Sequence, residues 1–247
     1  TVYPATYLEA CLEALARTGA ANVGGVVRAT PGADTPTARA IARARNDLFA
    51  TGPGSFRTES TSGPRRTVPF GCFPRATFER FGLYDEGLLR NQDIALNHRI
   101  VKGGGVVYRQ GDIASLYIAP SRYGVMFRKH VSNGWWNVRA SLVHPGCIGW
   151  KHALPGLALA LGLGLAALLP WAGVAFFGAW VLANLVRSFA VSRREDPVRV
   201  AWAFTVAIMT PLFYEWLTTI LYHKYPWLKP KALLTDTEMQ ARIKDKV

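Results

Sequence analysis

Between Ala153 and Val186 stand 34 consecutive residues without one Asp, Glu, Lys or Arg. A straight helix of that length would measure roughly 51 Å at about 1.5 Å rise per residue. The hydrocarbon core of a bilayer is only about 30 Å thick. One span is therefore too few, and two spans turning at Pro170-Trp171, near 153–169 and 172–191, are the natural answer. Gly156, Gly162, Gly164 and the alanines around them let two such helices approach closely. Arg193 and Arg194 then place the Ser192–Pro197 loop on the cytoplasmic side. A third apolar segment, 200–222, holds Pro211 at its centre and Glu215 beyond it. A full third span would put the basic tail 223–247 outside, whereas a re-entrant or kinked segment would keep it inside; both readings stand. Glu215 is costly in an apolar segment unless paired, so either a pairing partner or a functional role is open to it.

Residues 1–150 have a different texture. Tyr3 to Ala16 reads as a helix with Tyr7, Leu8, Cys11, Leu12 and Leu15 on one stripe, ended at Thr18-Gly19. Asn22 to Ala29 reads as a strand, and its Gly24-Gly25 pair signals a bulge or close packing. A second helix spans 35–49, with Arg39, Arg43 and Arg45 expected on its wet face. The Gly/Ser/Thr/Pro-rich stretch 51–64 is a long loop of the kind that tends to be functional. A strand at 67–73 and a helix at 74–81 follow. Two short strands, 105–109 and 115–118, then precede a helix near 123–141. That helix interleaves Arg122, Arg128, Lys129, His130 and Arg139 with Trp135 and Trp136, the pattern of an interfacial helix.

The net charge is +13 for 247 residues. Its basic residues are spread, with 19 Lys+Arg against 10 Asp+Glu in 1–152 and 10 against 6 in 153–247. No zinc spacing, helix-turn-helix signal or RNA-binding aromatic motif accompanies that charge, so lipid and a phosphate-bearing substrate are favoured over nucleic acid. Cys11, Cys72 and Cys147 lack metal-ligand spacing and read as reduced thiols.

The densest chemistry lies in Phe81–Gly105, where Asp85, Glu86, Asn91 and Asp93 crowd a loop before a helix. Ile94, Leu96, Ile100 and Val101 give that helix an apolar face, with Asn97, His98 and Lys102 in the gaps, and Gly103-Gly104-Gly105 ends it. Asn91 and Asp93 occupy helix-capping positions. A carboxylate there can cap free N–H groups, or it can stand at the rim of a cleft and take a proton from a bound hydroxyl.

Gly82-Leu83-Tyr84-Asp85-Glu86, then Asn91-Gln92-Asp93, then a helix carrying Arg99 and a glycine run, resembles the inverting glycosyltransferases of family 2. The nearest subgroup is the bacterial membrane enzymes of succinoglycan-type exopolysaccharide biosynthesis. The resemblance covers most of residues 1–150. It implies an α/β fold: a partial GT-A domain, a Rossmann-like mixed sheet with helices, followed by a helical transmembrane region. Residues 1–150 would be the acceptor-side part of that domain, 151–222 the transmembrane or re-entrant helices and 223–247 a cytoplasmic tail.

By the same resemblance Asp93 is the catalytic base, and Asn91 and Gln92 position it. Phe70-Gly71-Cys72 borders the acceptor pocket, where a glycine lets a sugar approach the backbone. Arg99, Lys129 and Trp135 join the expected substrate-binding set. Lys129 stands where processive relatives carry a Gln, and no Arg-Trp follows it at the family spacing, which favours addition of a single sugar. The partners implied are a nucleotide-sugar donor, a lipid-pyrophosphate-linked saccharide acceptor and membrane lipid. A Mg²⁺ or Mn²⁺ ion is implied as well, with its acidic ligands upstream of Thr1. On that reading the 247-residue chain alone is expected to be catalytically inert. The implied location is the bacterial inner membrane, multi-pass, with the catalytic part cytoplasmic. The competing expectation is a non-enzymatic, membrane-anchored interaction module of a polysaccharide assembly complex.

Overall fold

The computed structural model describes residues 1–52, 54–149, 154–192 and 196–208. Within them the chain forms a mixed α/β domain on a small sheet, joined to an apolar helical hairpin. The sheet has three strands, β1 (Asn22–Thr30), β2 (Gly63–Pro64) and β3 (Val107–Ile118), in the order β1-β3-β2. β1 and β3 run parallel, and β2 pairs with β3 antiparallel. The two short strands expected at 105–109 and 115–118 are one continuous strand. Gly111 makes that continuity feasible, because a Cβ there would overlap the Ser60 carbonyl.

Between the pairs Gly24–Arg109 and Val26–Ala114, β3 advances five residues while β1 advances two. The irregularity falls at Gly24-Gly25. A Cβ on Gly25 would collide with Ile113 and one on Gly24 with Val68 and Pro69, so both glycines serve close packing beside a bulge.

Helix α1 (Tyr7–Thr18) ends on Gly19 at φ 63, as its Thr18-Gly19 stop signal predicts. The helix expected over 35–49 is broken into α2 (Pro36–Arg45) and α3 (Leu48–Thr51). The break has a polar cause. Asn46 spends its side chain on both backbone groups of Ala29, accepting from N–H and donating to C=O at 2.7 Å each. Asp47 caps α3 by accepting from Phe49 N at 2.9 Å. Helix α4 spans Arg75–Phe81. The strand expected at 67–73 is reduced to one bridge, Val23–Cys72, because Phe70 adopts φ 52 and turns the chain away from the sheet.

Helix α5 (Gln92–Lys102) buries Ala95, Leu96, Asn97 and Ile100. Asn97 is thus inside rather than in a solvent gap. It accepts from Asn22 Nδ2 at 2.6 Å and donates to Thr67 Oγ1 at 3.0 Å, which satisfies it in the core. Val101, expected on the core face, is 42% exposed. Helix α6 (Tyr123–Val143) follows β3.

The hairpin consists of α7 (Leu154–Leu168) and α8 (Pro170–Val191), turning at Leu169 with Pro170 in the first turn of α8. Close approach is set by small residues. A Cβ on Gly162 would strike Phe176 and Phe177, and one on Gly173 would strike Ala166. Leu157, Leu161, Val174, Leu182 and Phe189 point outward. At 22 residues, α8 is long and apolar enough to cross a membrane by length and composition, and it is the one such helix among the described residues.

At its base Arg187 grips Asp47 in a bidentate pair, Nε–Oδ1 3.0 Å and NH2–Oδ2 2.8 Å, tying the hairpin to the α2–α3 turn. Helix α9 (Pro197–Ile208) opens the third apolar segment. Its stripe Val200, Ala203, Phe204 and Ala207 is buried against Ala40, Ile41 and Ala44 of α2 and Met126 of α6, so this portion is covered by protein. Pro211, Glu215 and the tail 223–247 lie outside the described residues.

Candidate functional site

The site is built on the turn into α5. Asn91 precedes the helix at φ 63, a left-handed conformation that Asn tolerates better than most residues. That geometry takes its side chain out of capping range. Asn91 Nδ2 donates instead to Asn137 Oδ1 of α6 at 2.7 Å, so the expected cap is replaced by a tertiary bond. The helix then begins with Gln92 and places Asp93 in its first turn.

Asp93 is exposed at the wall of an open cleft of about 720 Å³, which Gln92 and Gly71 also line. Protein crowds the carboxyl on its other sides, and this partial burial raises its pKa above the usual carboxylate range, while the N–H groups of Ile94 and Asp93 pull the other way. The cleft is also lined by Tyr3, Tyr7, Phe70 and Tyr84. The Tyr84 phenol is pushed up by burial and by the Asp93 charge, so it stays a neutral donor. Tyr7 O–H donates to the Phe70 carbonyl, holding that left-handed residue in place. The cleft thus combines aromatic faces with a few acidic groups, the composition suited to a polyhydroxylated ligand.

Gly71 lines the cleft, and its lack of a side chain also has a packing cause. A Cβ there would overlap the Asn22 amide behind it, so internal packing demands the glycine. Cys72 lies one residue along, bridged to Val23 and packed toward Cys11, and it is absent from the cleft wall. Burial pushes the Cys11 thiol up to about 11, and all three cysteines are free. Arg99 donates to the Leu83 carbonyl and so ties α5 to the loop before it. Lys129 lies apart, bonded to Tyr117 Oη at 3.2 Å, and Trp135 is 39% exposed on α6. Of the expected set, the structure brings Gly71, Gln92 and Asp93 to one cavity, with Asn91 behind them.

Sequence reasoning missed the brace. Two polar residues of α6 and the residue that ends it hold the acidic loop: Asn133 accepts from Arg90 at 3.0 Å, Asn137 from Asn91, and His144 Nε2 donates to Asp85 Oδ2 at 2.7 Å. Asp85 also accepts from Gly87 N at 2.9 Å, closing the turn. Asn133 and Asn137, four residues apart, share one side of the helix, and His144 follows just past its end, a pattern visible only once a partner is known. His144→Ala should lower the melting midpoint by roughly 5 °C, corresponding to about 2 kcal/mol for a hydrogen bond to a charged group. Thermal unfolding by circular dichroism checks this, and an unchanged midpoint would show the brace to be idle.

Among the described residues no three His, Cys, Asp or Glu side chains gather as ligands for an ion. No protein-family model, no curated protein and no solved structure matches the chain.

Proposed function

We propose that the chain is the acceptor side of an inverting, membrane-bound glycosyltransferase, in a partial GT-A domain, that moves a sugar from a nucleotide donor to a hydroxyl of a lipid-linked saccharide. The observation that carries this reading is Asp93: a carboxylate of raised pKa standing exposed in a sugar-sized cleft, on the triplet that resembles the family's base. The acceptor sugar rests against Tyr3, Phe70 and Tyr84. Its hydroxyl gives its proton to Asp93 as its oxygen attacks the anomeric carbon. A new C–O bond forms on the face opposite the leaving group, the bond to the nucleoside diphosphate breaks, and the electron pair leaves with that diphosphate. Gln92 and Glu86, which also line the cleft, orient the acceptor; Asn91, bonded to Asn137, fixes the start of α5. A divalent ion, whose ligands the resemblance puts before Thr1, would supply charge to the leaving diphosphate. The hairpin α7–α8 anchors this domain at a bacterial inner membrane, with the catalytic part cytoplasmic.

The pH dependence tests the assignment. The base must be ionised, so transfer falls as pH drops through the raised pKa of Asp93. In the protein that carries this chain together with its donor-binding half, the acid limb of kcat/KM should lie above about 4, the usual carboxylate value. A limb at or below that value would remove Asp93 from the role.

A further inference from the structure

The second concentration of charge in the molecule is cationic, and it lies apart from the cleft. Arg45, expected on a wet face of α2, turns inward over the ring of Tyr117, its Cζ 5.1 Å from the centroid. Arg57, from the 51–64 loop, stacks on the same ring at 5.2 Å. Lys129 of α6 reaches it at 5.6 Å and donates to its hydroxyl at 3.2 Å. Arg45 also meets His130 Nε2 at 3.2 Å. Burial and the two guanidinium charges push that imidazole down to about 3, so it stays neutral.

Among the described residues none of the three cations has a carboxylate partner, although Asp47 lies only two residues from Arg45. Asp47 is occupied by Arg187. Arg45 Nε and Arg57 Nη1 are buried without any hydrogen-bond acceptor. Three like charges around one ring repel one another, and a cation–π contact of about 0.5–2 kcal/mol each does not discharge them. Groups kept in this state complement an anion with several acceptor oxygens. Guanidinium forks and an ammonium are the donors that grip phosphate.

The position of the cluster narrows the choice further. Tyr117 packs against the core that holds α9 and Val191, the last residue of α8, and the neighbouring Asp47 is fastened to Arg187. The cluster therefore sits where the apolar hairpin enters the α/β domain, the level of lipid headgroups if α8 spans. We infer that Arg45, Arg57 and Lys129 form a binding site for a phosphate group at the membrane face, carried by a lipid or presented as free pyrophosphate. This inference stands on the cation cluster alone and does not need Asp93 to be a base.

The test uses the whole chain with Arg57→Gln and Lys129→Gln as variants. In detergent, sodium pyrophosphate is added against sodium chloride of equal ionic strength. In parallel, nanodiscs of phosphatidylglycerol are compared with nanodiscs of phosphatidylcholine. The readout is the melting midpoint. A wild-type rise of about 4 °C at ten times Kd with pyrophosphate, lost in both variants, supports the site with a free phosphate source. No response to pyrophosphate but a rise in phosphatidylglycerol discs, lost in both variants, supports it with a lipid source. Equal responses of wild type and variants to both probes overturn it, as does a lower midpoint of the unliganded variants with their response intact, the mark of a purely structural stack. Asp93→Asn should respond like wild type, so failure here leaves the transferase reading untouched, and the reverse.

Discussion

Asp93→Asn is expected to lower sugar transfer about 10³-fold while donor binding stays within a factor of two or three. The size follows from the contribution of a positioned general base, about 10²–10⁴. The selectivity follows from place. Asp93 stands at the wall of the cleft in the first turn of α5, exposed, and among the described residues its side chain makes no bond that holds another element. Asparagine keeps its size and can still accept from the N–H groups at the helix start, so α5 should remain. Steady-state kinetics with a defined lipid-linked acceptor, alongside donor titration by calorimetry, separates the two effects. Equal loss of both would make the carboxylate a structural cap. Unchanged turnover would remove the catalytic reading and leave the membrane-anchored interaction module as the better account.

Arg109→Met is expected to cost about 3 kcal/mol and roughly 6–12 °C in midpoint. Arg109 is 1% exposed in the middle strand, and its fork organises the 51–64 loop from within. It donates to the Thr61 carbonyl and hydroxyl at 3.0 Å each and to Glu59 Oε2 at 3.2 Å. Glu59 in turn accepts from Gly54 N and from Arg109, and both lower its pKa. Methionine retains the stem but takes one donor from Glu59 and the Nε donor from the Thr61 carbonyl, and the loop loses its tie to β3. Trypsin should then cut after Arg57, Arg65 or Arg66 at a rate well above wild type. A resistant loop with an unshifted midpoint would show that the anchor lies elsewhere.

The residues of that loop show why composition alone was a poor guide to it. Its Gly, Ser, Thr and Pro content announces a long connection, and 51–64 is mostly that, with the brief strand β2 at its end. Nothing in the stretch itself says that a strand arginine 48 positions further on supplies its core. The same holds for Arg45. A basic residue at a helical spacing is usually solvated, and only the arrival of Tyr117 from β3 and His130 from α6 turns it inward. The candidate site divides along the same line. The triplet Asn91-Gln92-Asp93 ahead of an apolar-faced helix is legible, as is the glycine stop, because capping and periodicity act within a few residues. The brace from Asn133, Asn137 and His144 is not, because each needs a partner on another element.

By itself, then, the sequence determined the order of helices and strands in outline, the turn at Pro170 between two apolar helices, and the acidic turn that opens α5. These rest on short-range rules: backbone strain, side-chain period and the length of uncharged runs. The tertiary structure alone decided which polar groups went inside. It buried Asn97 against Asn22, packed the start of the third apolar segment onto α2, joined two short strands into β3, and gave Gly71 its reason in Asn22. A polar side chain is buried only when another polar group meets it, and that meeting is set by the path of the whole chain.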